Sequence, residues 1–127
     1  MSTAQMSTME IASALVDFCK QGKNDEAMNT LYADDVVAIE AGGPPGMDRV
    51  AKGKDAVIAK SQWWTDNHEV HSAEVGGPWP NGDQFIATFR YDVTFKPEKR
   101  RFIMEEAALY TIKDGKIAKE EFFYNMG

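Results

Sequence analysis

Four carboxylates stand as two adjacent pairs in the second half of the chain, Glu105–Glu106 and Glu120–Glu121. Both pairs fall in stretches that read as β-strands, where neighbouring side chains point to opposite faces. One member of each pair therefore faces inward in any register. A carboxyl among apolar side chains keeps its proton to higher pH, more so beside a second carboxylate, and becomes an acid usable near neutrality. An inward position near a strand end also allows a solvated or structural role. A third charged group, Arg90 and Asp92, lies in the run "FRYDVTF" from Phe89 to Phe95. Phe89, Tyr91, Val93 and Phe95 share one face of that strand, and Arg90, Asp92 and Thr94 share the other. If the polar face looks in, a charged pair is buried, which calls for a partner or a task. The aromatic face must then be covered by a second subunit. If the aromatic face looks in, Arg90 and Asp92 form a surface ion pair.

The histidines, His68 and His71, are three apart and fall on opposite faces of a strand, so they make no joint metal site. No His/Cys cluster has metal spacing, and no Gly-rich phosphate loop or nucleophile elbow is present. Neither a metal nor a cofactor is therefore expected. His71 is the histidine expected to reach the interior and titrate near neutral pH, against the plainer reading of a hydrogen-bonded strand-end histidine. Trp64 is expected in the core. Trp63, one position off that stripe, is expected over a pocket mouth or at a subunit contact. Trp79, in "GPWP", reads as an exposed indole that caps a neighbour or a partner. Cys19 reads as a small buried hydrophobe.

The elements that must position these residues follow from local pattern. Ser7 and Glu10 fit a capping box, and Ile11, Ala14, Leu15, Phe18 and Cys19 recur at helical spacing behind it, up to Gly22. Residues 24–32 predict a second short helix and 34–40 a strand. Residues 41–50, with two Pro and three Gly, predict a loop that gates a pocket or merely connects. Residues 54–66 predict a third helix with Val57, Ile58, Ser61 and Trp64 on one side. From His68 onward the pattern is strand and turn: strands over 68–75, 84–95, 101–112 and 117–125, with turns at 76–83, 96–100 and 113–116. Asp114-Gly115 is the strongest hairpin signal. The class is α+β, with three N-terminal helices packed on a mainly antiparallel sheet. One domain spans 1–127, with a loose tail over 1–6.

The chain has 127 residues, 43% hydrophobic and 27% charged, with a net charge of -6 and a pI near 4.9. An acidic chain with one basic cluster, Lys96 to Arg101, argues against nucleic-acid binding by phosphate neutralisation. No apolar run is long enough to span a bilayer, and the N-terminus has no signal-like core. A single cysteine fits a reducing compartment, and a cytoplasmic location is expected.

The element order, with "LYADDVV" leading into the first strand and "DGKI" and "EFFY" at the end, resembles the nuclear transport factor 2-like superfamily. Within it the chain looks most like the SnoaL-like branch, relatives of ketosteroid isomerases, limonene epoxide hydrolases and polyketide cyclases. The resemblance runs from about Glu10 to Tyr124. It implies a strongly curved sheet around a cone-shaped pocket, often in a dimer, with catalysis in some members and ligand binding alone in others. In ketosteroid isomerases the base is a carboxylate, and its position falls on Glu40. Their two oxyanion donors fall on or near Leu15 and Met104, neither of which donates a hydrogen bond, so the largest part of that catalysis is missing. Limonene epoxide hydrolases carry an Arg-x-Asp pair, matched by Arg90 and Asp92, and a second aspartate that falls near Phe122, next to Glu120 and Glu121. The isomerase register implies that Met104, Glu106, Ala108, Tyr110, Glu120, Phe122 and Tyr124 point into the cone. The epoxide hydrolase match favours Arg90 and Asp92 inward as well.

The resulting expectation is a homodimer, joined through the sheet, that binds a small apolar or aromatic organic molecule. Asp92, Glu106 and Glu120, oriented by Arg90 and assisted by His71, are the candidate acid–base groups for cofactor-free isomerisation, hydration or hydrolysis. Glu40, Trp63, Met104, Tyr110, Phe122 and Tyr124 are the candidate binding residues. The alternative is a non-catalytic ligand-binding or dimerisation domain.

Overall fold

The first helix begins as its cap dictates. Ser7 Oγ accepts from the Glu10 amide at 3.1 Å, and Glu10 Oε1 accepts from the Ser7 amide at 3.0 Å. The two free amides at the helix start are thereby satisfied. The structure is a computed structural model and describes residues 6–43, 46 and 48–125. Apart from Met6, the expected tail over 1–6 lies outside the described residues, as do Pro44, Pro45 and Met47 of the expected loop.

Helix α1 spans Thr8–Lys20 and α2 spans Asn24–Leu31. Strand β1 (Tyr32–Ile39) follows, then β2 (Val50–Lys52), α3 (Lys54–Asn67), β3 (His68–Asn81), β4 (Gln84–Phe95), a 3-10 turn (Lys96–Glu98), β5 (Arg100–Lys113) and β6 (Lys116–Phe123). The sheet order is β2-β1-β6-β5-β4-β3. Every neighbouring pair is antiparallel except β1 with β6, which run parallel. The sheet is curled but not closed, and three helices pack on it, as the α+β class predicts.

Two boundaries differ from expectation. Strand β2 lies at the end of the expected loop and just beyond it. Three residues are too few to carry a periodic signal, and they are a strand because β1 lies alongside, Val37 opposite Lys52 and Ile39 opposite Val50. Residues 76–81, expected as a turn, continue β3. Trp79, Pro80 and Asn81 pair with Ile86, Phe85 and Gln84 across a register break after Gly76. β3 is an edge strand, where proline's missing N–H costs no ladder bond.

The core lies between helices and sheet. Ile11, Ala12, Leu15 and Val16 of α1 meet Ala27, Met28 and Leu31 of α2, and Phe85, Ala87, Phe89, Ala108 and Tyr110 from the sheet. Cys19 packs against this cluster half-buried, and burial pushes its thiol up to about 12. Among the described residues no helix is long and apolar enough to cross a membrane.

Candidate functional site

The face of β4 is settled by burial. Phe85, Ala87, Phe89 and Val93 are all 5% exposed or less, and Tyr91 packs against the same core. The Arg90 side chain is 50% exposed and pairs loosely with Glu105 at 3.7 Å. Asp92 takes two hydrogen bonds from Arg101, each 2.9 Å, which hold its carboxyl below the usual range. The inward reading of Arg90 and Asp92 is thus corrected. Covering an aromatic stripe is favourable, whereas burying two charges is costly unless they are well paired.

The register that turns Arg90 outward brings Glu106 inward, because Phe89 lies directly across from Glu106. Ala87 faces Ala108, and Phe85 faces Tyr110 with their rings stacked 4.7 Å apart. On the other side of β5, Ala108 faces Phe122 and Tyr110 faces Glu120. Glu106, Tyr110, Glu120 and Phe122 therefore share the helix-covered face, as the isomerase register implies, and Met104 joins them opposite Tyr91.

Glu120 is 4% exposed and is the buried charged residue among those described. Tyr32, at the start of β1, donates its hydroxyl proton to Glu120 Oε2. Burial pushes Glu120 up to about 7, against the pull of the Tyr32 hydrogen bond and the Lys60 charge. Glu106 also rises to about 7, chiefly through burial and then through the negative charges of Glu40 and Glu120. Both carboxyls are thus poised to take or give a proton near neutral pH. Burial and Glu120 drive the Tyr32 and Tyr110 hydroxyls well above their ordinary range, so both remain donors.

A second cluster adjoins this pair. Glu40, one residue beyond β1, accepts from the Lys60 ammonium through Oε1 and from the Tyr124 hydroxyl through Oε2 at 3.0 Å. Tyr124 also lies 3.0 Å from the Gly42 carbonyl, and its hydroxyl is pushed up to about 12 by burial and by Glu40. The Lys60 ammonium stands 5.0 Å from the centre of the Phe122 ring. Glu40, Phe122 and Tyr124 are thereby brought together, as residues expected to bind.

Other expected residues lie elsewhere. His71 sits at the register break between Val70 and Ser72, exposed, and shares a 2.7 Å hydrogen bond with Thr94 Oγ1 on the outer face. The break rotates it away from the interior, which corrects its expected role. His68 takes the inner position, its ring stacked 4.3 Å from Trp64 and its Nδ1–H donating to the Trp64 carbonyl. Trp63 is 47% exposed, beside His68 with 6.4 Å between ring centres. On the outer face an open groove of about 550 Å³ runs past Glu74, Thr88, Arg90, Glu105 and Phe123. Among the described residues no His, Cys, Asp or Glu group could hold a metal ion.

Two residues of this constellation are absent from the sequence-based expectation. Tyr32 reads as the inner edge of a helix, and only the parallel pairing of β1 with β6 sets it against Glu120. Lys60 had a signal, since it lies three after Val57 and four before Trp64, both on the apolar side of α3.

A curled, unclosed sheet of six strands with three helices packed on it is the α+β cone of the nuclear transport factor 2-like fold. The family model for the SnoaL-like domain matches residues 6–124, and the chain belongs to that family. A Mesorhizobium loti protein described as a candidate SnoaL-like polyketide cyclase is 46% identical, over 94% of this chain and 100% of that one, with a TM-score of 0.88. A Bacillus subtilis protein described as a candidate isomerase has 16% identity and a TM-score of 0.77, over 94% of this chain and 90% of its own. TerC, co-crystallised with polyporic acid, has 12% identity and a TM-score of 0.70, over 93% of this chain and 91% of its own. The last two share the fold alone. No curated protein matches the chain.

Proposed function

We propose that this protein is an acid–base catalyst acting on a small apolar or aromatic molecule, by isomerisation, hydration or hydrolysis. The observation that carries the reading is that Glu106 and Glu120 lie on the covered face of neighbouring strands, where burial pushes both carboxyls up to about 7. Glu106 moves the proton. Glu120, held by Tyr32, is the second acid. Met104, Tyr110 and Phe122 are the candidate apolar contacts for the molecule, Glu40 and Tyr124 the candidate polar ones, and Trp63, exposed beside His68, an outlying aromatic one. Proton transfer by a carboxyl needs no cofactor. Arg90, Asp92 and His71 have no part in it.

The test is exchange at carbon. Small aromatic ketones are incubated with the protein in heavy water, and loss of the proton next to the carbonyl is followed by NMR. Exchange above background, lost in Glu106→Gln, is the expected result. Normal titration of both carboxyls, or exchange indifferent to Glu106→Gln, overturns catalysis and leaves a ligand-binding domain.

The working unit is a homodimer joined through the outer face of the sheet. Trp79, Ile86, Ile103 and Phe123 are 56%, 40%, 46% and 54% exposed there, more apolar surface than an isolated subunit usually leaves bare. The single half-buried thiol is compatible with the expected cytoplasmic setting.

A further inference from the structure

We propose that Tyr124 is a latch: its hydroxyl closes the way to Glu106 at the end of the sheet where β1 and β6 stop, and a ligand enters there when the hydroxyl lets go. The latch stands whether the covered carboxyls catalyse or only bind. The sheet is incomplete at this place. β6 pairs with β5 only as far as Phe123 opposite Ala107, and β1 accompanies β6 only as far as Ile39 beside Glu121. Among the described residues, Arg100–Glu106 of β5 have a ladder partner on the β4 side alone. Three polar groups meet at this level, each the first residue past a pairing. Glu40 follows β1, Tyr124 follows β6, and Glu106 lies just past the last pair of β5 with β6. Glu106 is half-buried all the same. What covers it on this side is side chains: its titration answers to Glu40 and Lys60, and the Tyr124 hydroxyl answers to Glu106.

One half of the latch is fixed and the other is free to swing. Lys60 of α3 holds one carboxylate oxygen of Glu40. The Glu40 backbone is tied to Arg49 twice, by its N–H to the Arg49 carbonyl at 2.8 Å and by Arg49 Nε–H to its own carbonyl at 3.1 Å. Tyr124 lies past the last ladder pair of β6, where local opening costs least. It donates to Glu40 Oε2 at 3.0 Å and lies 3.0 Å from the Gly42 carbonyl, and its single proton serves both acceptors. Burial and Glu40 push the hydroxyl up to about 12, so at neutral pH it keeps the proton that closes the latch. Release leaves the Tyr124 hydroxyl and one Glu40 oxygen bare in the opening. These are the two groups proposed as polar contacts for the molecule.

Chemical access to Glu106 reads the latch directly. Wild type and Tyr124→Phe are labelled with a water-soluble carbodiimide and glycinamide, and each modified carboxyl is located by mass spectrometry. The pH is set from each protein's own Glu106 titration, so that the same fraction is protonated in both. Glu105, next in sequence on the outer face with a side chain 72% exposed, is the internal reference. Wild-type Glu106 is expected to label far more slowly than Glu105. Tyr124→Phe keeps the ring and removes the bond to a charged group, and is expected to label Glu106 about tenfold faster with Glu105 and Glu120 unchanged. Equal Glu106 rates in the two proteins overturn the proposal. So does a wild type whose Glu106 labels as fast as Glu105, because the way is then never closed. A variant in which the buried Glu120 speeds up as much as Glu106 overturns it too, since the whole fold has then loosened. Carbon exchange separates this from the acid–base reading. Latched labelling without exchange keeps the latch and removes the catalysis, and exchange with equal labelling does the reverse.

Discussion

Tyr32 gives its hydroxyl proton to a carboxyl that water barely reaches. Tyr32→Phe leaves Glu120 without that donor, at a cost of about 1–3 kcal/mol in urea denaturation. It also moves the Glu120 titration still higher, because the lost hydrogen bond favours the charged form. The raised carboxyls predict a pH slope of unusual sign. From the ordinary 4.5 up to about 7, the folded state holds protons that the unfolded state has released. Stability is therefore greatest below pH 4.5 for these two groups, falls as pH rises toward 7, and is level above it. The penalty is on the order of 3 kcal/mol per group, less where the two titrations couple. Glu106→Gln and Glu120→Gln each flatten part of that slope in melts run across the range. Asp92→Asn, on the outer face, leaves the titration of both buried carboxyls where it is, as carbon-detected NMR can check.

At the scale of elements, β3 depends on a glycine whose backbone no other residue adopts easily. Gly77 has φ +97°, and an added Cβ would stand 3.0 Å from the Ile86 carbonyl oxygen and 3.0 Å from the Trp79 ring. Gly77→Ala is expected to cost about 1–3 kcal/mol in the same denaturation assay. The inner parity of Glu106, Glu120 and Phe122 follows from the isomerase register that the resemblance implies, and a count from Asp114-Gly115 misses it, because a register shift between Thr111 and Ile112 moves β6 by one residue against β5. The face of "FRYDVTF" is not legible in the sequence. It depends on the turn at 96–99, which closes on Lys99 in the left-handed region at φ +52°, with no glycine to announce it. The pairing of Phe89 with Glu106 that results makes an inward Glu106 and an inward Arg90 mutually exclusive. Spacing alone matched Arg90 and Asp92 to a family motif, and spacing carries no information about which face is covered. Lys60 escaped notice for a related reason. A lysine on a helix is ordinarily solvated, and only the fold brings Glu40 and Phe122 to it.

At the scale of the molecule, the outer face has a mixed character that suits a second copy. Arg90 and Glu105, and Asp92 and Arg101, lie among the exposed apolar side chains. A two-fold partner presents the same charges in reverse order. Ile103→Lys is expected to shift the sedimenting mass from dimer to monomer while both buried carboxyls keep their titration. A wild type that sediments as a monomer at micromolar concentration would end the dimer reading.

The parallel contact between β1 and β6 bears on how the protein is made. Residues 32–39 wait for residues 116–123 before the middle of the sheet can close. During synthesis the early strand therefore has its inner edge bare until residues 116–123 have left the ribosome, and loop closure over that distance is slow. Tyr32 is translated long before Glu120. The proton-handling centre thus forms only once β6 has been made, and a nascent chain stalled within β5 is expected to have its three helices but none of the site's chemistry.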